Sequence, residues 1–375
     1  MKSKEVIIDN IQIDYNNREI STVKTLDVLH AQVEGTRRRV ESVYLTPEVL
    51  IRFNQRSVLK VDIEALVARL NICYGVASMY DCSMRAAITH NLQTCIFEQS
   101  GWNQQSISYV RILLQNKAGE VFFDDVPLCI NHIGLIQIAF DALLKRATEK
   151  LDIIDKEFIM PDQIILTPKA AAYFIHETIG HLCEYDYASM PGAYIGLENF
   201  NKKILNENVN IYSDPFVSDF LSFGQLDDEG NELNKQLIVE NGCVKELITS
   251  MRSDSHYNNS LIRMTNIYLS EDVTGPSQDE LVDRVSDAVL VDSFTNGIFH
   301  APSNQFILHS NDAYLIKNRK KVARVSTLSI NNKVTQIADM IQVIGRDMKM
   351  HLSVCVKQGQ AVLVGNGSPS MLVRS

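Results

Sequence analysis

The first 160 residues combine strand-like and helix-like hydrophobic patterns. Residues 5–60 alternate apolar and polar positions, which predicts strands because successive strand side chains point to opposite faces. The apolar runs 107–114 and 121–123 flank residues 116–119, a pattern typical of a β-hairpin. A helix is predicted next, because apolar residues recur at the spacing of a buried stripe: Ile136, Phe140, Leu143, Leu144, Ala147 and Leu151.

The segment that begins at residue 163 has the pattern of a strand leading into a helix. Residues 163–166 are a short apolar run and predict a buried strand. Thr167 suits the N-cap position, and Pro168 suits the first helical position, where a backbone N–H is not needed. We therefore expect a helix that starts at Pro168 and runs through three alanines into His176.

Beyond this helix, Gly, Asn and Asp residues separate short strand-like runs. Asn241-Gly242, which follows an apolar run, is the strongest hairpin signal in the chain. Residues 279–289 and 334–343 have helical patterns instead. The sequence therefore predicts an α+β fold, with an N-terminal α/β domain over residues 1–160 and a strand-rich C-terminal domain over residues 161–375 that carries the helix starting at Pro168.

Composition narrows the expected environment and partners. The formal net charge of −9 argues against a nucleic-acid partner, since such binding relies on Lys and Arg to neutralise phosphates. No run of eighteen apolar residues predicts a membrane span, and no signal-peptide pattern follows Met1. The seven cysteines include no CxxC pair, which favours a reducing compartment over a disulfide scaffold. We expect a cytoplasmic protein.

The predicted helix ends in a cluster of residue types suited to hydrolysis. His176 and His181 offer neutral imidazole nitrogens, which are common ligands of Zn²⁺. Zinc with an open coordination position lowers the pKa of its bound water to about 7. Glu177 could accept the proton of that water and pass it to the leaving amine. The pattern indicates a zinc metallopeptidase.

The spacing of the two histidines requires a distorted helix. Histidines at i and i+4 lie about 40° apart around a regular helix, whereas these lie at i and i+5, about 140° apart. A π-type turn would bring them together, and such turns are frequent at functional sites. We predict a local distortion between Glu177 and His181, with Gly180 as the residue that tolerates the unusual backbone.

The residues alone leave the third metal ligand open. Cys183 is expected to be a small core residue, because a continuing helix points it away from His181. Glu184 could bind the metal or orient an imidazole N–H, and Asp186 could act similarly or cap the helix end. Cys355 lies in a turn-like run that could carry a thiolate across to the helix. On this reasoning Cys355 ranks only slightly above Glu184.

Several separated blocks resemble the TldD/PmbA family of metallopeptidases. Residues 176–186 match its HExxGHxxExD pattern, and residues 263–266 match its RMTN block. Residues 313–318 resemble its AYLIENG stretch, and residues 355–360 and 364–369 are similar to its CGKxGQ and VGxGxP ending. The blocks keep the family's order over roughly residues 105–375. Val356 stands where the family has glycine, and the N-terminal region is expected to be shortened.

The resemblance implies a ligand set and roles for particular residues. Zinc would be held by His176, His181 and Cys355, with Glu177 as the catalytic base. The resemblance also suggests that Arg263 or Asn266 lies near the metal and binds the substrate backbone or the oxyanion. The alternative for this pair is an ordinary buried ion pair and a turn residue.

The resemblance also implies substrates and partners. A TldD-type catalytic subunit would hydrolyse unstructured peptides bound as an added strand, with removal of the leader of a peptide natural product as one expected reaction. It would form a heterodimer with a TldE/PmbA-type subunit, or a homodimer. The competing hypothesis is a catalytically silent partner subunit with a structural zinc. The intact Glu177 favours the enzyme, because a structural site has no use for a carboxylate there.

Overall fold

The N-terminal part of the protein is an antiparallel sheet with two helices. The computed structural model describes residues 4–16, 19–32, 63–97, 101–128, 133–154, 159–197, 201–207, 209–217, 223–252 and 260–375. The N-terminal elements are β1 (Lys4–Asn16), β2 (Glu19–Gln32), α1 (Ile63–Met79), β3 (Ser83–Phe97), β4 (Gly101–Gln115), β5 (Val121–Pro127) and α2 (Ile133–Thr148). The strands pair in the order β2-β1-β3-β4-β5. The strands predicted within residues 5–32 are confirmed, and the prediction for residues 33–60 lies outside the described residues.

The predicted amphipathic helix and hairpin are both present. The helix ends at Thr148, so Leu151, which was expected to belong to its stripe, lies beyond it. Gly119, with a φ of 84°, forms the hairpin turn between β4 and β5. Among the described residues, no helix is long and apolar enough to cross a bilayer. The stripe of α2 packs against α1 and the sheet through Ile136, Phe140, Leu143 and Ala147.

The C-terminal part is rich in short strands. Its helices are α3 (Pro168–Ile175), a π-helix (His176–Gly180), α4 (Tyr185–Ala188), α5 (Gln278–Arg284) and α6 (Ile337–Met340), with 3₁₀ turns at Ala301–Ser303 and Val334–Gln336. Strand β6 (Asp152–Ile154) precedes this part of the chain. The strands of the C-terminal part are β7 (Gln163–Leu166), β8 (Ile211–Ser213), β9 (Gln236–Glu240), β10 (Cys243–Val244), β11 (Met251–Arg252), β12 (Leu261–Ile262), β13 (Asn266–Leu269), β14 (Asp287–Ser293), β15 (Asn296–His300), β16 (Gln305–Ser310), β17 (Asp312–Lys317), β18 (Lys320–Val325), β19 (Leu328–Lys333), β20 (Ile341–Ile344), β21 (Lys349–Lys357), β22 (Gln360–Ser368) and β23 (Met371–Arg374). The predicted α+β class is confirmed.

Two mixed sheets enclose helix α3. One has the strand order β20-β23-β7-β14-β17-β18-β6, and the other has the order β10-β9-β8-β13-β22-β21. Smaller sheets are formed by β15-β16-β19 and by β11-β12. Helix α3 contacts β7 and β14 on one side and β13, β21 and β22 on the other. Six of its eight residues are buried, and all six are apolar, while Lys169 and Tyr173 are partly exposed.

The structure corrects the two helices predicted late in the chain. The first ends at Arg284, and residues 287–293 form β14 in the middle of the seven-stranded sheet. Val289 and Val291 are fully buried there, and β-branched side chains fit a pleated sheet better than a helix. The second is a 3₁₀ turn and one short helix that ends at Met340, after which the chain forms β20. The Asn241-Gly242 hairpin is confirmed between β9 and β10.

The two parts of the chain meet through paired strands and ion pairs. Strand β6, which precedes residue 160, pairs in parallel with β18 at the edge of the seven-stranded sheet. Arg324 binds Glu120 at 2.7 Å, and Arg146 binds Asp292 at 3.0 Å and also contacts Asp312. Burial raises the pKa of Asp312, and Asp292 raises it further, while Arg146 opposes both. Arg146 therefore bridges the two neighbouring carboxylates of Asp292 and Asp312.

Replacing this arginine should destabilise the protein. Arg146→Met leaves Asp292 and Asp312 together without their shared cation, and breaking a largely buried ion pair in this way costs about 3 kcal/mol. Urea unfolding at neutral pH measures the loss. Lys317→Met is the matched control, because the pair of Lys317 with Asp287 is exposed and its loss costs less than about 1 kcal/mol. Equal losses in the two variants would show that Arg146 has no such role.

Candidate metal centre

The helix that carries the first histidine starts as its sequence predicts. The Thr167 side chain accepts a hydrogen bond from the backbone N–H of Ala170 at 3.3 Å, and Pro168 occupies the first turn. The Thr167 hydroxyl also donates to the backbone carbonyl of Asp292 at 2.7 Å. The N-cap therefore fixes the helix to the end of the neighbouring strand β14 as well as starting it.

A π-helical turn brings the two histidines together. Residues 176–180 are π-helical, and the backbone N–H of His181 donates to the carbonyl of His176, five residues earlier. The two imidazole rings consequently lie on the same side, with centroids 4.9 Å apart and planes at 81°. The predicted distortion between Glu177 and His181 is confirmed.

Gly180 is required because a side chain at this position would collide with its neighbours. The predicted reason, an unusual backbone conformation, was wrong. Its φ is outside the left-handed region, since it lies within the π-helix. A Cβ at this position would overlap the Met264 sulfur and would come within 3.1 Å of Ile267 Cδ1. Met264 is one of the residues that resemble the RMTN block, and it packs directly against the turn that positions His181.

Cys355 lies in a strand, which corrects the predicted turn. It belongs to β21 and pairs with Val362 of β22. The turn between these strands is confined to Gln358 and Gly359, with φ values of 50° and 84°. Val356 is extended and exposed within β21, so this position requires no glycine in the present chain.

The three expected ligands converge. The ligand atoms of His176, His181 and Cys355 all lie within 4.8 Å of one another, and all three residues are buried. Cys355 Sγ lies 3.5 Å from His181 Nε2. Cys183, by contrast, lies in the main hydrophobic core, where burial raises the pKa of its thiol to about 12. The prediction that Cys183 is a core residue is confirmed.

The other ring nitrogen of each histidine already has a partner. His176 Nδ1 lies 3.0 Å from Asn366 Oδ1, and His181 Nδ1 lies 2.9 Å from Glu184 Oε2. Because each oxygen accepts a hydrogen bond, each Nδ1 carries the proton, and each Nε2 is left as the coordinating atom. Asn366 is in turn fixed by donating to Ser353 Oγ at 2.5 Å.

Glu184 and Asp186 form a buried charge network with a lysine of the cysteine-bearing strand. Lys357 Nζ binds Glu184 Oε2 at 2.8 Å and Asp186 Oδ2 at 2.7 Å. Burial alone would raise the pKa of Glu184, but His181 and Lys357 lower it to about 2. An ionised Glu184 is therefore available to hold the His181 ring. The sequence placed Glu184 and Asp186 near the site but did not indicate Lys357 as their partner.

The donor set fits zinc. Burial would raise the pKa of the Cys355 thiol, but the neighbouring His181 and His176 hold it well below its ordinary value, which favours the thiolate. Two imidazoles and a thiolate are typical zinc ligands. Ligands of a tetrahedral zinc lie about 3.5 Å apart, given bonds of about 2.0–2.3 Å, and the sulfur–nitrogen distance here is 3.5 Å.

Glu177 lies beside this set and against strand β15. Its Oε2 is 3.9 Å from His181 Nε2, and only 7% of the residue is exposed. A Cβ at Gly297 of β15 would come within 2.6 Å of Glu177 Cγ and 2.7 Å of Tyr173 Cε1. Burial raises the pKa of Tyr173, and the nearby Glu177 raises it further, so the phenol stays protonated and can donate to the carboxylate. The sequence analysis missed Tyr173, although its i−4 spacing from Glu177 was available as a signal.

The residues of the RMTN-like block hold the surrounding strands. Arg263 is fully buried, and its Nη2 donates to the Cys355 carbonyl at 2.5 Å. Its Nη1 donates to both the side chain and the backbone carbonyl of Gln360. Asn266 Nδ2 donates to the carbonyl of Asp214 at 2.9 Å. These contacts fix the β21–β22 hairpin and its neighbours, while a role in substrate or oxyanion binding stays a prediction.

Comparison with known protein families confirms the relationship that the motif blocks suggested. Residues 161–375, more than half of the chain, match the family described as the PmbA/TldA metallopeptidase C-terminal domain. The chain belongs to the PmbA/TldD family. The matched region contains the π-helix, the RMTN-like block and the hairpin that carries Cys355.

Relatives of the PmbA/TldD family carry metallopeptidase names. A metalloprotease of Archaeoglobus fulgidus is 29% identical over 224 residues, which are 56% of this chain and 52% of that protein. A Buchnera aphidicola metalloprotease TldD homolog is 28% identical, over 52% of this chain and 44% of its own length. The chain thus matches about half the length of these two relatives. A zinc metalloprotease TldD homolog of Saccharolobus solfataricus is 26% identical over 90% of this chain and 80% of its own.

A solved structure has a similar fold. The crystal structure of TldE from Thermococcus kodakarensis superposes with a TM-score of 0.68, covering 100% of this chain and 96% of that one at 13% identity. At 13% sequence identity, this similarity is evidence for a shared fold only.

Enlarging Gly180 should disturb the π-turn. Gly180→Ala forces Met264 out of its packed position, and overpacking of this kind costs about 1–3 kcal/mol. Met264→Ala in the same chain should recover part of this loss, which thermal unfolding of the single and double variants measures. Gly75→Ala is the control, because nothing lies within 4 Å of a Cβ there. It should stabilise helix α1 by about 0.5–1 kcal/mol. Strict additivity of Gly180→Ala and Met264→Ala would rule out the steric explanation.

Removing Lys357 should weaken metal binding. Lys357→Met deprives Glu184 of its cation, so the carboxylate that holds His181 is less firmly ionised. Loss of such an outer contact lowers zinc affinity by about 10- to 100-fold. Competition with a chromophoric chelator measures this, with Lys245→Met as the control, since Lys245 pairs with Glu240 at the surface. Unchanged affinity in Lys357→Met would contradict the expected coupling.

Proposed function

We propose that this chain is a zinc-dependent peptidase of the TldD type. The observation that carries the proposal is the convergence of two imidazole Nε2 atoms and one thiolate beside a buried carboxylate. We assign His176, His181 and Cys355 as metal ligands and Glu177 as the catalytic base. Zinc bound there would supply Lewis acidity, polarising the scissile carbonyl and making water acidic enough to deprotonate near neutral pH.

One side chain transfers the proton, and the others hold the reacting groups in position. Glu177 accepts a proton from the attacking water and delivers it to the departing amine nitrogen. Tyr173 lies beside Glu177, and its protonated phenol would orient the carboxylate. Asn366 and Glu184 hold the imidazole rings through Nδ1, and Arg263 holds the Cys355 strand through its carbonyl.

The strands around the site support a proposal for the substrate class. β15 pairs with β16 along one edge, and no described strand pairs with the other. β21 is likewise an edge strand of its sheet among the described residues. An extended peptide can add to such an edge through backbone hydrogen bonds, which do not depend on sequence. We therefore propose unstructured peptides as substrates, with leader removal as one such reaction.

Family membership supports a dimeric, cytoplasmic protein. We propose that the chain pairs with a TldE/PmbA-type subunit or with a second copy of itself. We also propose that the C-terminal peptidase domain begins at residue 161, where the family match begins. Strand β6 would then be contributed by the N-terminal domain to the sheet of the C-terminal domain.

Replacing Glu177 separates an enzyme from a silent subunit. Glu177→Gln should keep about one zinc per chain and should lose at least 100-fold in peptide hydrolysis, because the metal ligands remain while the base is lost. Zinc content by mass spectrometry and cleavage of a casein-derived peptide mixture measure the two properties. Glu207→Gln is the control, because Glu207 lies at the surface in an exposed pair with Lys203.

Two results would contradict the proposal. If wild type binds zinc but cleaves no peptide, either alone or with a co-expressed TldE/PmbA-type subunit, the chain is the catalytically silent partner. If neither His176→Ala nor Cys355→Ala lowers the zinc content, the assigned ligand set is wrong.

A further inference from the structure

A cavity of about 180 Å³ adjoins the candidate metal centre. It lies between strand β5 of the N-terminal sheet, helix α3 and strand β21. Two of its lining residues, Tyr173 and Asn366, also contact the site, the first at Glu177 and the second at His176. A side chain of a peptide bound at the metal centre could therefore reach into the cavity.

The charges at the cavity are already paired. Arg111 binds both carboxylate oxygens of Asp125 at 2.8 Å, and Lys169 binds Asp124 at 2.5 Å. Asp124 remains ionised because Lys169 offsets the effect of its burial, and its pKa is lowered. A charged side chain entering the cavity would displace one of these partners or stay unpaired, which is costly in a confined space. The cavity therefore suits an uncharged group.

The uncharged walls combine aromatic and aliphatic residues with the polar residues Ser293, Thr295, Ser353 and Asn366. Phe123 of β5, Phe294, Leu352 and Val354 line the cavity together with Tyr173. Its volume corresponds to about six water molecules at their share of liquid volume, which is room for a side chain of aromatic size. Aromatic pairs are stabilised beyond simple burial, so rings are favoured over aliphatic chains of equal area.

His351 offers one polar contact in the cavity. It lines the wall, and its Nε2 is buried with no hydrogen-bond partner among the described residues. Burial lowers the pKa of His351 to about 4, although Asp124 opposes this, so the ring is neutral. A neutral ring nitrogen can bond to a hydroxyl at the tip of an aromatic side chain.

We propose that this cavity is a specificity pocket that receives a large uncharged side chain next to the scissile bond, with tyrosine preferred over phenylalanine. The proposal rests on the peptidase function proposed above. It goes further by naming the residues that select the substrate, chiefly Phe123, His351 and Val354.

Filling the cavity tests the proposal. Val354→Trp should lower the kcat/KM ratio of tyrosine-containing to alanine-containing peptides at least tenfold, in a peptide series that varies one position. Val356→Trp is the matched control, because Val356 is exposed on the same strand and does not line the cavity. It should leave this ratio within about twofold of wild type, since it alters no wall of the pocket. An unchanged ratio in Val354→Trp overturns the proposal.

Two further variants keep the test decisive if Val354→Trp does not fold. Phe123→Ala enlarges the cavity at its rim and should raise the preference for tryptophan over tyrosine. His351→Leu should remove the preference for tyrosine over phenylalanine, because the hydroxyl then has no partner. If wild type with zinc cleaves no member of the series, either alone or with a co-expressed TldE/PmbA-type subunit, the peptidase function itself fails. If all variants cleave with the wild-type preference, the function stands and the pocket assignment is wrong.

Discussion

The hydrogen bond from the His181 N–H to the His176 carbonyl is the constraint on which the centre depends. It widens one helical turn from four residues to five and so turns both imidazoles to the same side. A regular helix would separate them by about 140°. The turn is stabilised from outside, because Met264 and Ile267 close around Gly180 and leave no volume for a larger residue.

A second set of bonds holds the distant thiolate against this turn. Arg263 binds the carbonyl of Cys355, and Lys357 of the same strand binds Glu184, which in turn binds His181. The two halves of the centre are thus joined by buried polar contacts even without a metal. These contacts favour one geometry of the hairpin relative to the helix, because breaking any of them would leave a buried charged group with fewer partners.

Local chemistry in the sequence was enough to predict the start of the helix and the need for a π-turn. Thr167 and Pro168 specify the first, and the five-residue spacing of His176 and His181 specifies the second. Features that depend on packing between distant segments could not be predicted in the same way. The steric need for Gly180 comes from Met264, and the pairing of Lys357 with Glu184 joins residues 173 positions apart in the chain.

The helices predicted late in the chain were wrong for a related reason. The helix predicted over residues 279–289 extends into β14, yet that strand pairs with β7 on one side and β17 on the other. Burial on both faces outweighs a weak local preference. The family blocks, by contrast, led directly to Cys355, because they carry information about spatial neighbours that spacing alone lacks.

The order of the ligands along the chain also bears on how the molecule is made. The thiolate comes 174 residues after the second imidazole. During translation, the imidazoles and the carboxylate leave the ribosome long before the hairpin that completes the centre. On the proposed function, a half-finished polypeptide would carry no working hydrolytic centre, and its own unfolded segments would be safe from cleavage until the hairpin had docked.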